Sequence, residues 1–542
     1  MSFQYREAAR VLSTVQKKRT SLKTLVFAGS SDDAGAAARR KTFALVSETL
    51  RHLPLLQALA ADCGGLVNAE DVHDSDQAWV MLYDLLFGKG SIQGGGALKR
   101  HLVARDAQLR AALAALKAAR GLPPDAAAEL LLPDAARRHA FPRYARVNLL
   151  RAAPDAVEAQ LRAEGLEVAR DGTVGALLVL PHGTDLHAHA LVADGRLILQ
   201  DKSSCFSAQA LLGGGSSWLD GGDVIDACAA PGNKTLHAAA LLSAAALSGA
   251  AAAAAAAASH HVFAFDRDAK RLALLRRRCD GAGGAGRITP CLQDFLAVDV
   301  NDARFSRVRG ILLDPSCSGS GIVTAPDRWQ EEEQGGAGGG DRVDKLAAFQ
   351  LAALLKALSF PHARRVVYST CSVHARENEG VVAAALRQQQ QQQQRGQGGQ
   401  GEGEEERCCP GPWRLVKCLP RWHRRGIVPE GSGLTAQQAD CMVRAAPADD
   451  TNGFFVALFA RGPADEGEGK GEGEGEGEGG GVSQKRLLEG GAEGLDDSKR
   501  AKKRLKSARK KKNQRLRRQT TLANAAPEGS DGDDGDDDDQ DE

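Results

Sequence analysis

The stretch Asp226-Ala227-Cys228-Ala229-Ala230-Pro231-Gly232-Asn233-Lys234-Thr235 decides the fold. Val224-Ile225 lead into it as the end of a strand, Pro231-Gly232 forms a turn, and a helix starts near Thr235. A strand that passes into a helix through glycine offers backbone N–H groups at a helix N-terminus, where a carboxylate or a ribose can approach closely. Taken alone the signal is weak, because it is neither GxGxxG nor a Walker loop. The chain downstream strengthens it.

Two further apolar runs end in cysteine loops. Gly310-Ile311-Leu312-Leu313-Asp314 continues into Pro315-Ser316-Cys317-Ser318-Gly319-Ser320-Gly321, and Arg365-Val366-Val367-Tyr368-Ser369 into Thr370-Cys371-Ser372. Short apolar runs alternating with helical segments imply a parallel, doubly wound α/β sheet, whose ligands sit at the carboxyl ends of strands. Both thiols should therefore open onto the crevice of the glycine turn. His261-Val262-Phe263-Ala264-Phe265 gives the next strand and ends at Asp266, placed to accept hydrogen bonds from both hydroxyls of a ribose. Asp294, in Gln293-Asp294-Phe295, stands where an adenine amino group could be read. Three turns at successive strand ends outline one adenosyl ligand, and two facing thiols suggest covalent catalysis. Considered singly, Asp266 and Asp294 would be helix caps or turn residues, and Cys228 and Cys279 small buried hydrophobes.

Composition bounds the rest. The chain has 542 residues, room for two or more domains plus tails, and its 43% hydrophobic content can supply their cores. Its eleven cysteines show no CxxC pair and no His/Cys set at zinc spacing, which argues for a reducing compartment and no metal. The opening Met1-Ser2-Phe3-Gln4-Tyr5-Arg6 lacks a signal-peptide core, and Ala250 to Ala258 is too short and too weakly apolar for a bilayer. A soluble, intracellular, monomeric protein with no membrane contact is expected. The net charge of +1 conceals segregation: Lys499 to Arg518 holds thirteen Lys or Arg in twenty residues, and Glu528 to Glu542 ten Asp or Glu in fifteen.

Residues 1–135 read as a helical domain. Tyr5 to Lys18, Lys41 to Ala60 and Ala78 to Phe87 carry apolar residues at helical spacing, Gly88 to Gly96 breaks the pattern, and Ala97 to Arg120 resumes as one long helix. Residues 136–462 read as a strand-bearing segment joined to the α/β domain, with strands at Val174 to Pro181, Arg196 to Gln200 and, last, Gly453 to Phe459. Low-complexity insertions near 244–258, 331–341 and 388–407 and the tail 463–542 should be flexible or disordered, Gln388 to Gln394 included, because such composition buries too little apolar surface.

The motifs DACAAPGNKT, FAFDRDAKRL, LLDPSCSGSG and VYSTCSVHARENE resemble those of the Sun-domain RNA cytosine-C5 methyltransferases, which use S-adenosylmethionine. The likeness extends to Phe141 to Asn148, Asp185 to His189 and Ile198 to Cys205, and covers roughly Tyr5 to Phe459. Asp-Pro-Ser-Cys stands where most of the family has Asp-Pro-Pro-Cys; with Phe87-Gly88-Lys89-Gly90 it resembles the eukaryotic subgroup acting on large-subunit ribosomal RNA. The resemblance implies a Rossmann-like methyltransferase sheet, with Cys371 as the nucleophile at cytosine C6, Cys317 in product release, and Asp314 on the N3 and N4 edge. It places the cofactor on Cys228, Ala229, Ala230, Pro231, Gly232, Asn233, Lys234, Asp266, Arg271, Asp294 and Asp314. Lys234 could equally be a solvated residue of the first helical turn.

RNA would lie on a basic rim of Arg143, Arg146, Lys202, Arg421, His423, Arg424 and Arg425, with Trp422 stacking on a base, and Lys499 to Arg518 would bind phosphates and direct the protein to the nucleus and nucleolus. Pre-ribosomal particles are the expected partners. Transfer or messenger RNA, or a catalytically silent assembly factor, remain alternatives; a nicotinamide oxidoreductase would want GxGxxG.

Overall fold

The computed structural model describes residues 3–18, 22–27, 33–64, 66–67, 75–132, 140–213, 217–247, 260–323, 339–397 and 411–462. The tail, most of the alanine tract and most of the residues of the other two expected insertions lie outside them.

The N-terminal helices run Phe3–Lys18, Leu22–Phe27, Asp33–Asp62, Ser75–Leu86, Ala97–Val103 and Asp106–Ala119. Ala8, Leu12 and Val15, three and four residues apart, turn one stripe inward against Leu56, Leu59 and Leu82 in a shared core. Tyr5 adds a polar tie, donating to Asp84 at 2.7 Å. The single helix expected from Ala97 to Arg120 is two. The chain turns at Ala104 and Arg105, and Asp106 opens a new first turn, where its charge suits the helix dipole and its carboxylate accepts from Arg110 at 2.8 Å.

Four strands then form an antiparallel sheet of their own: β1 (Arg143–Val147), β2 (Ala169–Arg170), β3 (Leu177–Leu180) and β4 (Leu197–Leu199), in the order β2-β3-β1-β4. The runs at Val174 and Arg196 therefore do not extend the parallel sheet. Two to four ladder residues per pair carry no sign of the partner strand in the sequence. Asn148 ties this sheet to the next by donating to the carbonyls of Gly195 (2.8 Å) and Ala282 (2.7 Å).

The second sheet comprises β5 (Asp223–Asp226), β6 (Val262–Asp266), β7 (Ile288–Leu292), β8 (Val308–Leu313), β9 (Arg365–Thr370), β10 (Arg414–Val416), β11 (Val443–Ala445) and β12 (Phe454–Ala460). Its order is β10-β12-β9-β8-β5-β6-β7, with β11 also on β12. The pairs from β9 to β7 are parallel; β12 runs antiparallel to β9, so the sheet is mixed, not wholly parallel as expected. Residues alternate between two cores, Val224, Leu312 and Val367 facing one and Ile225, Ile311 and Val366 the other. Burial on both faces is why these strands read as unbroken apolar runs. From β5 the chain moves outward to β6 and β7 and then returns to β8 on the other side, so the topological switch lies between β5 and β8.

Gln388 to Gln394, expected as flexible loop, continues the helix Glu379–Gln397, which packs Val381, Val382 and Ala385 into the second core. An anchored first turn lets glutamine, a fair helix former, propagate the helix.

Gly232 has φ +102, and a Cβ there would lie 3.2 Å from Cys279 Sγ and Leu275 Cγ of the helix Ala269–Gly281. Gly232→Ala should therefore lower stability by about 1–3 kcal/mol. Thermal unfolding checks this; an unchanged midpoint would contradict it.

Candidate active site

At the switch point the loops after β5, β6, β7, β8 and β9 enclose a cavity of about 520 Å³. Ala227, Cys228 and Ala230 form one wall, Asp266, Arg271 and Asp294 the second, and Asp314, Cys317 and Cys371 the end. The expected site residues Ala229, Pro231, Gly232, Asn233 and Lys234 are not part of its lining. Ala229 and Gly232 shape the turn through backbone bonds, Ala229 N–H to Phe265 and Gly232 N–H to Ala229, each 2.8 Å. Cys279 is buried behind the turn, a small hydrophobe as read.

Asp266 is nearly buried and accepts from the Asp268 N–H at 2.9 Å. Arg271 Nη2 lies 3.6 Å from its other oxygen but gives its hydrogen bond to Ala230 O at 2.7 Å, leaving that oxygen acceptor capacity. Asp294 caps the short turn Phe295–Ala297 by accepting from the Leu296 N–H at 2.9 Å, and also lines the cavity.

Cys317 Sγ and Cys371 Sγ are 3.2 Å apart, and neither is in a disulfide. The hydrogen bond to Cys371, then burial, raise the Cys317 pKa well above the usual thiol range. Lys234 is not solvated: Nζ contacts Asp314 Oδ2 at 2.9 Å and donates to Ser204 Oγ at 3.3 Å. Burial opposes its charge, yet Asp314, with a further contribution from Cys371, holds its pKa above the usual lysine value. By the same attraction, the ammonium favours negative charge at Cys371. Asp314 Oδ1 accepts from Ser369 Oγ at 2.8 Å, so the carboxylate is fixed from both sides.

Glu377, missed in the sequence, joins the two cysteine loops. It is fully buried, Oε1 accepting from the Ser318 N–H (2.9 Å) and the Gln350 amide (2.8 Å), and Oε2 from Ser372 Oγ (2.6 Å). Ser318 and Ser372 each follow a cysteine and bond each other at 3.1 Å. At Gly321 a Cβ would meet Gly453 O at 2.4 Å and Cys371 O at 2.9 Å, so only glycine lets the loops close. Nothing in the run His374-Ala375-Arg376-Glu377-Asn378-Glu379 separates buried Glu377 from exposed Arg376.

The expected basic rim is largely committed elsewhere. Arg146 is fully buried, donating from Nε to Gln200 at 2.9 Å, and burial pulls its pKa down to about 10. Trp422 is buried edge-on against Phe206 and donates to Arg444 O, so it cannot stack on a base. Lys202 pairs with Asp171, and His423 and Arg424 with Asp449. Arg425 donates to the carbonyls of Cys418, Leu419 and Pro420, and Arg143 to Thr184 O. Arg421 is exposed.

Behind the turn, Asp226 is buried and accepts from Thr235 Oγ1 at 2.7 Å; burial, reinforced by Asp314, pushes its pKa up to about 6. An acid whose folded pKa exceeds its unfolded value binds more protons folded than unfolded between the two. Its contribution to stability therefore falls as pH rises from about 4 to about 6 and is level above. Asp226→Asn should remove this slope, gaining on wild type by on the order of 2–3 kcal/mol across that window. Denaturant titrations at stepped pH check it; parallel curves for the two proteins would contradict it.

Residues 218–460 match the family described as 16S rRNA methyltransferase RsmB/F, and residues 40–126 the N-terminal domain of NOL1/NOP2/Sun domain family member 5. The 28S rRNA (cytosine-C(5))-methyltransferase of Mus musculus is 38% identical over 482 residues, 84% of this chain and 90% of that protein. The 25S rRNA (cytosine-C(5))-methyltransferase NSUN5 of Arabidopsis thaliana is 35% identical, covering 84% and 72%. The 25S rRNA (cytosine-C(5))-methyltransferase rcm1 of Schizosaccharomyces pombe is 35% identical, covering 84% and 90%. The solved structure of PH0851, 19% identical, covers 85% of this chain and 99% of its own at a TM-score of 0.50, a likeness of fold. Sequence and fold agree: the chain belongs to the RsmB/F Sun-domain family of S-adenosylmethionine-dependent RNA cytosine-C5 methyltransferases.

Proposed function

We propose that this protein methylates C5 of a cytosine in large-subunit ribosomal RNA, through a covalent bond between Cys371 and C6 of the ring. The observation that carries this reading is the pair of thiols 3.2 Å apart at the ends of adjacent parallel strands, facing the cavity of the glycine turn. The substrate follows from the relatives, whose names specify 28S and 25S rRNA. Action in the nucleolus follows from that substrate and from the basic run Lys499 to Arg518.

The cavity suits S-adenosylmethionine. Its volume falls in the range of small-molecule sites, and Asp266, nearly buried with acceptor capacity to spare, suits a ribose. Asp294 and the wall of Ala227, Cys228 and Ala230 would border the same ligand. When bound, the cofactor supplies an electrophilic methyl group.

The chain's own residues do the rest. Cytosine C5 is a poor nucleophile until sulfur adds at C6 and turns the ring into an enamine. Lys234 attracts negative charge at Cys371, whereas the raised pKa of Cys317 keeps it a thiol, so Cys371 is the sulfur that attacks. Asp314, fixed by Lys234 and Ser369, hydrogen-bonds the N3 and N4 edge and holds the ring for attack. Once the Cys371 sulfur is bonded to carbon, the hydrogen bond that kept Cys317 protonated is gone. Cys317, once its S–H proton has passed to solvent, takes the C5 proton as a thiolate; the C5–H electron pair becomes the ring double bond, and the Cys371–C6 bond breaks with its electrons leaving on the Cys371 sulfur.

Bisulfite sequencing of total RNA with and without the gene tests the substrate. A large-subunit cytosine that loses its mark supports it; a change confined to transfer or messenger RNA contradicts it. Within the site, Cys371→Ala should abolish methylation without trapping RNA, whereas Cys317→Ala should accumulate a denaturant-resistant protein–RNA adduct. An adduct formed only by Cys371→Ala would reverse the roles.

Glu377→Ala strands three donors and releases the Cys317 loop from the Cys371 loop. We expect kcat to fall about tenfold or more, KM for S-adenosylmethionine to hold, and adduct to accumulate as with Cys317→Ala. A rise in KM alone would show that Glu377 does not set the thiol geometry.

A further inference from the structure

A second cavity, of about 420 Å³, lies where the four-stranded sheet meets the segment entering β12. None of the residues assigned above to catalysis or to the cofactor lines it. Phe141, Arg143, His182 and His187 are among its walls, and Asp201 and Asn452 form its floor. Asp201 Oδ1 is filled by the Ser203 N–H (3.0 Å), the Ser203 hydroxyl (2.6 Å) and the Thr451 hydroxyl (2.6 Å). Its Oδ2 accepts only the Asn452 amide, at 2.8 Å. The Asn452 Oδ1 is buried with no donor, a costly state that an incoming N–H would relieve. The floor is therefore short of hydrogen-bond donors at two neighbouring acceptors.

Two separate routes along the chain lead from this floor to the catalytic groups. Asn452 precedes Gly453, whose N–H donates to Gly321 O at 2.8 Å, while the Gly321 N–H donates to Cys371 O at 2.9 Å. One residue further, the Phe454 ring lies 5.3 Å from Lys234 Nζ. On the other route, Asp201 caps the helix Lys202–Leu212, and Ser204, one turn on, accepts from Lys234, which holds Asp314. The cavity thus lies within a nucleotide step or two of the groups assigned to the target cytosine.

We infer that this cavity seats an unpaired nucleobase flanking the target cytosine, stacked on the aromatic and imidazole walls with its edge donating to Asp201 and Asn452. The inference rests on the RNA-methylation reading and adds a specificity site to it. Proteins read single-stranded RNA through splayed bases that stack on aromatic side chains and hydrogen-bond along their edges, and these walls and floor supply both contacts. Two acceptors side by side favour guanine, whose N1–H and 2-amino group are adjacent donors. Uridine, with one N–H between two carbonyls, suits the floor least.

The test uses the full chain and short RNAs carrying the target cytosine, with an abasic nucleotide placed at each flanking position in turn. Affinity is read by fluorescence anisotropy, and methyl transfer on the same RNAs. One position should cost wild type about tenfold or more in affinity. Uridine or inosine there should cost several-fold against guanine, and Asn452→Ala should erase that preference. In Phe141→Ala and, separately, His187→Ala, the abasic penalty should shrink towards none. No sensitive position, or a penalty equally large in both wall variants, would overturn the inference. Because affinity is read independently of turnover, an RNA held base-specifically yet never methylated counts against the cytosine reading and not against this cavity.

Discussion

One buried carboxylate holds the catalytic geometry together. Strands β8 and β9 run side by side, which brings Asp314 and Thr370 to the same end of the sheet but leaves the loops beyond them unconstrained. Glu377 supplies the constraint, accepting from the residue after each cysteine and from Gln350, whose amide also donates to Ser316 O at 3.1 Å. Tyr368 closes the arrangement from below, its hydroxyl donating to the Glu377 carbonyl and to Gln350 at 3.2 Å. Both oxygens of this deep carboxylate are hydrogen-bonded, and satisfied networks of this kind rigidify the groups they join.

Charge around the cavity is arranged with the same economy. Lys234 pairs with Asp314, and its charge attracts negative charge at Cys371. In the mechanism proposed, Cys317 is held as a thiol and Cys371 is the nucleophile. In the proposed site, the small residues of the glycine turn leave space for the cofactor, and Asp266 would offer the specific polar contact.

Much of this was legible in the sequence because two-sided burial writes itself as apolar runs. β5, β6, β8, β9 and β12 fall within a residue or two of the stretches that announce them, and the cysteines and aspartates at their ends follow from strand direction. What escaped was decided by contacts distant in the chain. The four-stranded sheet depends on pairings of a few residues across long separations. Arg146 looks like an RNA-facing cation but is sealed beneath Gln200, and Trp422 looks like a stacking platform but packs against Phe206. Residue type sets what a side chain can do, and only the fold decides whether it meets solvent. Glu377 is the plainest case, since a glutamate in a charged loop carries no mark of burial.

The central claim is that Cys371, and not Cys317, bonds to the ring. RNA carrying 5-fluorocytidine at the target position tests it most directly, because fluorine at C5 cannot leave as a proton does and the covalent adduct persists. The wild-type enzyme, incubated with that RNA and S-adenosylmethionine, should yield one nucleotide-modified peptide, and mass spectrometry should place the modification on Cys371. A modification on Cys317, or no covalent peptide despite RNA binding and cofactor turnover on the unfluorinated RNA, would contradict the account.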